Sequence, residues 1–423
     1  MSDRLLGAAR LVKKNFSAGT NRTRDLRIST GSIQLDVALG GGLPVGRNTL
    51  FWGEKSGGKS TATLRAIATN QDLCNRCLRP AKNVQAVEPP PDVLEEDPDA
   101  RWSAVGECNC VAEGVVVPTI PPKEKNEKAK DYNERILKWR EDLNKNSYQE
   151  FVCAYVDPED AYDKTWATEV GVDDRRLYYV RPESGEDASD IITILFESGA
   201  VDLIAIDSLA HFTPTKEIAE GATEWQQGLQ ARIVNKGVRA WVAMNARNKN
   251  RSIYTTSIWV NQVRMKIGVQ FGSPETKPAG RGQDFAIHVE AKFKASKVKE
   301  AVTETYGSKD KGEVNIFPTT EEFKFKITKN KTAATRGIES SYVQTMRSTE
   351  AVPAGTVLED DWIFKNAMKY FMTEHEKPGK EGKYEIAGQR FKTQAALKEA
   401  IIGKGELAPV VRAALIKELA GAR

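Results

Sequence analysis

The stretch NTLFWGEKSGGKST, Asn48 to Thr61, changes character twice. It opens apolar and β-prone, turns glycine-rich, and from Lys59 reads as a helix running to about Gln71. Residues 53–61 satisfy G-x-x-x-x-G-K-[ST], which roughly one or two chains of this length in a hundred would carry by chance. The strand-turn-helix setting is the one a phosphate-binding loop requires. Glycines let the backbone curl until several N–H groups face the β- and γ-phosphates. Lys59 adds a cation, and Ser60 offers a hydroxyl to Mg²⁺. The pattern thus assigns Gly53, Glu54, Lys55, Ser56, Gly57, Gly58, Lys59, Ser60 and Thr61 to a nucleotide.

Such a loop needs a carboxylate partner, and VDLIAIDS, 201–208, supplies one. An apolar strand ending in Asp207 places a carboxylate at the carboxyl edge of a sheet, where it orders Mg²⁺ through water. Hydrolysis also needs a group that orients water. The run VDPEDAYD offers Glu159 just beyond another strand, FVCAYVD, 151–157. By itself Glu159 reads equally as a solvated loop carboxylate or as a base. The three histidines, His211, His288 and His375, are scattered and suggest no dyad.

Around these motifs strands and helices alternate. LYYV (177–180), LIAID (203–207) and SIWVNQ (257–262) read as strands, with helical patterns near 185–198 and 224–247. Alternation of this kind predicts a mostly parallel sheet covered on both faces, an α/β fold. Past Phe285 the helix signal fades, and AIHVEAKF and EFKFKIT read as antiparallel additions. Residues 72–150 interrupt the alternation with cysteines, the acidic proline-rich run VEPPPDVLEEDPDA and a charged helix around NERILKWREDL. The expected division is a short N-terminal helix and arm over 1–28 and a core over 29–348 carrying the 72–150 insertion. A smaller C-terminal α+β domain over 349–423 completes it.

Composition excludes little but bounds the rest. Charged residues are 28% and apolar residues 40% of the 423, an ordinary globular balance. A net charge of +4 is too small to indicate a nucleic-acid partner, so any basic surface is local. The N-terminus is amphipathic and lacks the apolar core of a signal peptide, and no apolar run of membrane-spanning length follows. A cytoplasmic protein without a membrane partner is expected.

The segment VNQVRMKIGVQFGSPET, Val260 to Thr276, poses the remaining question: a core strand runs into a loop with Arg264, Lys266, glycines and Phe271. Together with TGSIQLDVALGGGLPVGR, GEKSGGKST, VDPEDAYDKTW and VDLIAIDSLAHFTP it resembles the bacterial RecA recombinases, cellular or phage-encoded. The motifs occur in the family's order and spacing from about residue 28 to 335, omitting 72–150.

The resemblance implies a core that is a RecA-like P-loop ATPase using ATP and Mg²⁺. It also implies roles for single residues. Glu159 matches the catalytic glutamate, and Asp163 and Trp166 match positions that contact adenine, with Trp166 standing where Tyr is usual. Gln262 matches the glutamine that senses the γ-phosphate. Lys329 and Lys331, in ITKNKTAA, match the pair that reaches the neighbouring protomer's ATP. The loop from about 263 to 278, with Arg264, Met265, Lys266, Ile267, Gly268 and Phe271, matches the second DNA-binding loop. The first corresponds to about 217–229 followed by Arg232, where Trp225 and Gln227 both compete for the base-separating position. The N-terminal helix resembles the element that packs on the next protomer. The implied function is an ATP-dependent recombinase that forms helical filaments on single-stranded DNA, pairs it with homologous double-stranded DNA and exchanges strands. The alternative is a RecA-like mediator or ring-forming ATPase motor without strand exchange.

Four cysteines fall in the insertion, as Cys74-x2-Cys77 and Cys108-x-Cys110. Four thiolates suit tetrahedral Zn²⁺, although the second spacing is unusual. Zinc and free thiols both remain open readings. Cys153 lies inside a strand and reads as core.

Overall fold

Whether a strand reads as alternating or continuously apolar depends on how many of its faces are covered. The central strands CAYV (153–156) and LIAI (203–206) are apolar at every position, so both faces should be buried. The computed structural model describes residues 26–75, 78–97, 100–108, 135, 148–220, 228–249, 251, 253–265, 274–306, 313–349, 352–375, 382–403 and 405–420. Its main sheet has nine strands. In chain order these are β1 (Asn48–Gly53), β2 (Cys153–Val156), β3 (Leu177–Val180), β4 (Leu203–Ile206), β5 (Thr256–Gln262), β6 (Val289–Phe293), β7 (Lys297–Tyr306), β8 (Glu313–Asn330) and β9 (Glu339–Thr345). The spatial order is β7-β8-β6-β1-β5-β4-β2-β3, with β9 also paired to β8. From β6 to β3 every pairing is parallel.

Alternate residues of each central strand enter different cores. Phe51, Tyr155, Ala205 and Ile258 face one side, together with Ala62, Ala66 and Ile67 from the helix after the glycine-rich turn. Leu50, Ala154, Ile206 and Trp259 face the other, with Ile192, Phe196, Val238 and Trp241 from two further helices. The helices that matter below are α1 (Ile33–Leu39), α2 (Lys59–Asn70), α3 (Lys164–Val170), α4 (Gly185–Ser198), α5 (Leu229–Lys249) and α6 (Gly282–Ala286). Burying a side chain such as Ile206 or Phe196 stabilises by roughly 1.5–3 kcal/mol, so two filled faces hold the strand ends that carry the site.

One sequence expectation is corrected. AIHVEAKF contributes β6, which is parallel to β1 and antiparallel only to β8. An apolar run carries no signal for strand direction, and β6 is the strand where the sheet changes from one mode to the other. EFKFKIT is part of β8, which pairs antiparallel with β6, β7 and β9. The helix read over 224–247 is observed as α5, Leu229–Lys249. Residues 221–227 lie outside the described residues, as do the N-terminal helix and most of the charged helix in the insertion.

The described part of the insertion is a hairpin, Lys82–Val87 with Ser103–Glu107, interrupted by a short helix at Pro91–Glu96. Arg101 pins it to the core through an ion pair with Glu150 at 2.5 Å and a hydrogen bond to the Arg176 carbonyl. The described residues of the tail form three helices and a small sheet of Thr373–Glu374, Tyr384–Ile386 and Gln389–Phe391. Its apolar residues Ile363, Leu397, Val411 and Leu415 gather around Ile33 of α1. Buried Glu359 accepts the Ile33 N–H and the Arg412 guanidinium, both at 2.6 Å, and so ties tail to core.

Candidate active site

Because β1, β2, β4 and β5 are parallel, their carboxyl ends lie along one edge. Gly53 is in register with Gln262 on one side and Phe293 on the other, and Val156 with Ile206. The turn from β1 into α2 has no room for side chains at two places. A Cβ on Gly53 would stand 2.0 Å from the Phe293 carbonyl oxygen, and one on Gly58 would stand 2.4 Å from the Phe323 ring. Gly58 also holds φ at +79°, which L side chains rarely adopt. The loop is therefore committed to bare backbone, the surface an anion needs.

Lys59 begins α2 and is buried, and its ammonium donates to the Glu54 carbonyl at 2.5 Å. Burial pulls its pKa down, while the Asp207, Glu159 and Glu54 charges oppose that shift. Asp207, just past β4, is buried and accepts hydrogen bonds from Ser60 and, at 2.9 Å, from the Tyr155 hydroxyl. Burial pushes its pKa up to about 6, and the two hydroxyls only partly offset this. The Asp207–Ser208 peptide is cis. A buried carboxylate bonded to Ser60 at the mouth of the loop is a donor set that suits a divalent cation, which would relieve the cost of the buried charge.

Glu159 follows β2, in a turn fixed by Asp157, whose carboxylate accepts the N–H groups of Glu159, Ala161 and Tyr162. Its carboxylate is held on both oxygens. Oε1 lies 3.5 Å from Gln262 Nε2; Oε2 accepts from Ser208 Oγ at 3.2 Å and sits 3.0 Å from His211 Nδ1. Sequence reasoning missed His211, because its distance from Glu159 along the chain hides a meeting made by two neighbouring strand ends.

Asp163 caps α3 by accepting the Trp166 N–H at 3.0 Å, and Trp166 Nε1 donates to Thr61 Oγ1 at 3.2 Å. Both candidate base contacts thus stand beside the first turn of α2. Arg264 and Met265 are exposed and pair with Glu275 and Thr276 as a short antiparallel ribbon at the foot of the loop 266–273. Arg232 on α5 is also exposed. Trp225, Gln227, Lys266, Ile267, Gly268 and Phe271 lie outside the described residues.

Lys329 and Lys331 are not brought to this edge. Phe325 is the β8 residue level with Phe293 and hence with Gly53, whereas Lys329 is level with Glu290 and Leu50. Four residues of strand put Lys329 roughly 13 Å away, toward the amino edge. There Lys329 and Lys331 donate to the Asp284 and Phe285 carbonyls of α6.

Of the insertion's cysteines, Cys74 is buried and Cys108 is half-buried, while Cys77 and Cys110 lie outside the described residues. Among the described residues no three His, Cys, Asp or Glu side chains gather as a metal site. Nor, among them, is any helix long and apolar enough to cross a membrane.

The family model of the RecA N-terminal domain matches residues 11–79 and 142–340, more than half of the chain, and skips most of the insertion. The chain belongs to the RecA family. Membership makes it a RecA-like recombinase ATPase, using ATP and Mg²⁺ and binding DNA. The gap in the match, 80–141, contains the hairpin, so the RecA core is continuous across the place where the insertion enters.

Proposed function

We propose that this RecA-family protein forms ATP-dependent helical filaments on single-stranded DNA and exchanges strands with a homologous duplex. The observation that carries the reading is Gln262. Its amide reaches Glu159, and two residues later the chain enters the exposed ribbon Arg264–Met265. A group that meets the γ-phosphate side of the site is thereby continuous with the loop assigned to DNA. The foot of that loop is also linked to β1: Lys277 and Lys292 lie over the Trp52 ring, 5.2 and 5.3 Å from its centroid, and Lys292 pairs with Glu275.

In this reading Gly53 to Thr61 hold the triphosphate, with Lys59 moving from the Glu54 carbonyl to the phosphates. Ser60 and Asp207 would hold Mg²⁺, which supplies charge neutralisation at the transferring phosphoryl group. Glu159 takes a proton from water as its oxygen bonds to the γ-phosphorus and the bond to the bridging oxygen of ADP breaks. Asp163 and Trp166 flank the base. Arg232, Arg264 and Lys266 take DNA phosphates, and an apolar side chain of the loop enters between bases.

Lys329 and Lys331 serve the next protomer's ATP. Arg47, Lys249, Lys329 and Lys331 surround His288, and burial with these cations pushes the imidazole down to about 3. A cationic amino edge and an acidic carboxyl edge on one molecule are complementary in a head-to-tail stack, the arrangement that gives open helices where the rotation does not close and rings where it does. Electron microscopy with single-stranded DNA and ATP, paired with a strand-exchange assay, tests the proposal. Helical filaments with exchanged products support it, and closed rings or filaments without products defeat it. Four-thiolate zinc in the insertion belongs to the same proposal, tested by metal content: about one zinc per chain, lost in Cys74→Ser/Cys77→Ser.

A further inference from the structure

Glu159 is held by more groups than a water-activating carboxylate needs. Gln262 faces one oxygen, whereas Ser208 and His211 converge on the other at 3.2 and 3.0 Å, and Ser208 Oγ lies 3.1 Å from the same His211 Nδ1. His211 sits in a short turn of 3₁₀ helix, Leu209–His211, directly after the strand end that carries Asp207. That turn is held from α5, where Gln230 Nε2 donates to the Ala210 carbonyl at 2.6 Å. Leu209 and Ala210 are buried, so the backbone that carries the imidazole is fixed to the core.

The side chains of His211 and Glu159 are 38% and 32% exposed. Protons from solvent therefore reach both. The groups that meet the imidazole are Glu159 from the β2 turn and Ser208 from its own loop. Farther along the edge stand Gln262 from β5, Lys59 from α2 and the carboxylates Asp157 and Asp207.

We propose that His211 is a positioning residue that makes hydrolysis sensitive to pH. As a neutral ring with its proton on Nδ1, it donates to Glu159 Oε2 and fixes the carboxylate while leaving it basic. As an imidazolium it forms a full ion pair, and the carboxylate becomes a poorer acceptor for water's proton. Histidine is the side chain whose ordinary titration, near 6.5, makes such a change within the physiological range. ATP binding does not pass through this contact, because the phosphate loop and Asp207 are held by other residues. Where saturating Mg²⁺ and ATP keep Asp207 ionised, the protein would thus hold ATP at mildly acidic pH while hydrolysing it slowly. In the filament reading, that prolongs the ATP-bound assembly.

The inference rests on Glu159 being the base, and the experiment separates the two. Steady-state ATP turnover on single-stranded DNA is measured from pH 5.5 to 9 for the full-length wild type, His211→Ala, His211→Asn and Glu159→Gln, with DNA binding measured in parallel. Wild-type turnover is expected to fall as the pH is lowered from 8 to 5.5. His211→Ala should lose about ten- to a hundredfold in kcat at pH 8, as a loosened reacting group does, with KM unchanged. The amide nitrogen of Asn stands where Nδ1 stands but does not titrate. His211→Asn should therefore recover most of that loss and move the acid midpoint to lower pH. Wild-type kinetics in His211→Ala, or an unmoved midpoint in His211→Asn, overturns the inference. If His211→Ala folds poorly, seen as lost DNA binding, the midpoint of His211→Asn decides alone. Normal turnover in Glu159→Gln would instead overturn the assignment of the base, a result distinguishable from either His211 outcome.

Discussion

Two aspartates bracket one four-residue strand. Asp202 precedes β4 at the amino edge and Asp207 follows it at the carboxyl edge, and burial raises both, to about 7 and about 6. Their partners differ in kind. Asp202 accepts two N–H donors, the Val152 backbone at 2.8 Å and the Asn75 amide at 2.6 Å. Asp207 accepts hydroxyls, from Tyr155 and Ser60. The Val152 N–H can only donate and is fixed by the backbone, so Asp202 is held in a structural joint between β4, β2 and the start of the insertion. A hydroxyl can turn and accept, so Asp207 keeps lone pairs free for something else. Equal charge and shifts in the same direction give a fixed joint at one edge and an adaptable site at the other.

If that contrast is right, the largest losses come from the carboxyl edge. Glu159→Gln should slow hydrolysis by roughly 10²–10⁴-fold, the span of a positioned base, while ATP binding by fluorescence titration stays intact. Lys59→Ala should instead weaken ATP binding itself. Equal effects of the two substitutions on binding would mean that the edge is not divided between holding and reacting groups.

The amino edge should act only across a protomer boundary. Lys329→Ala/Lys331→Ala should retain the protomer's own nucleotide affinity and lose DNA-stimulated turnover by about 10³-fold, comparable with removal of a cation supplied in trans. Mixing this variant with Lys59→Ala protein pairs a sound phosphate loop with sound lysines at some interfaces, so part of the turnover should return. A dead mixture that still co-assembles on DNA would place the lysines in some other role.

The two edges are unevenly disclosed by the sequence. Gly53, Gly58, Lys59 and Asp207 are legible because each stands next to the local pattern that explains it: a strand, a turn, a helix start. Both covered faces of the sheet are legible from the alternation of strands and helices, and from strands such as LIAI that are apolar throughout. The direction of β6 is not, since AIHVEAKF looks the same running either way. Lys329 and Lys331 come from resemblance, and only register shows that they lie four strand residues from the level of Gly53. His211 is invisible because its partner, Glu159, is 49 residues from neighbouring Ser208, and only the β2–β4 pairing closes that distance. The insertion resists for another reason: cysteine spacing proposes a metal but cannot show whether the thiols converge.

A smaller effect is expected from the DNA-facing loop. Neutralising Arg264 and Lys266 should weaken single-strand binding and reduce its salt slope by about 0.7 per charge, through counterion release. Loss of affinity with an unaltered slope would mean that the ribbon shapes the loop without touching phosphates.

The mildest change tests the two aspartates directly, in protein free of nucleotide and magnesium. Asp207 has its pKa raised in the folded state from 3.8 to about 6. Its favourable contribution is therefore complete below about pH 4 and is lost as pH rises through 6, above which a buried charge remains. That shift corresponds to about 3 kcal/mol at alkaline pH, to order of magnitude. Asp207→Asn removes the charge, and its amide finds in Tyr155 and Ser60 hydroxyls able to accept. It should raise Tm by a few degrees at pH 8 and by little at pH 4, while weakening Mg²⁺-dependent ATP binding. Asp202 has the larger rise, so charge alone predicts a larger gain for Asp202→Asn. Donor chemistry predicts the reverse. An asparagine there can keep its oxygen on the Val152 N–H, but its NH₂ then meets the Asn75 NH₂, so Asn75 must turn its amide over to accept; without that turn a donor is left unpaired at a cost of about 1–3 kcal/mol. Melting curves at the two pH values distinguish the accounts. If Asp202→Asn proves the more stabilising at pH 8, burial alone governs both positions, and the hydroxyl partners of Asp207 are not what leaves it free for a cation.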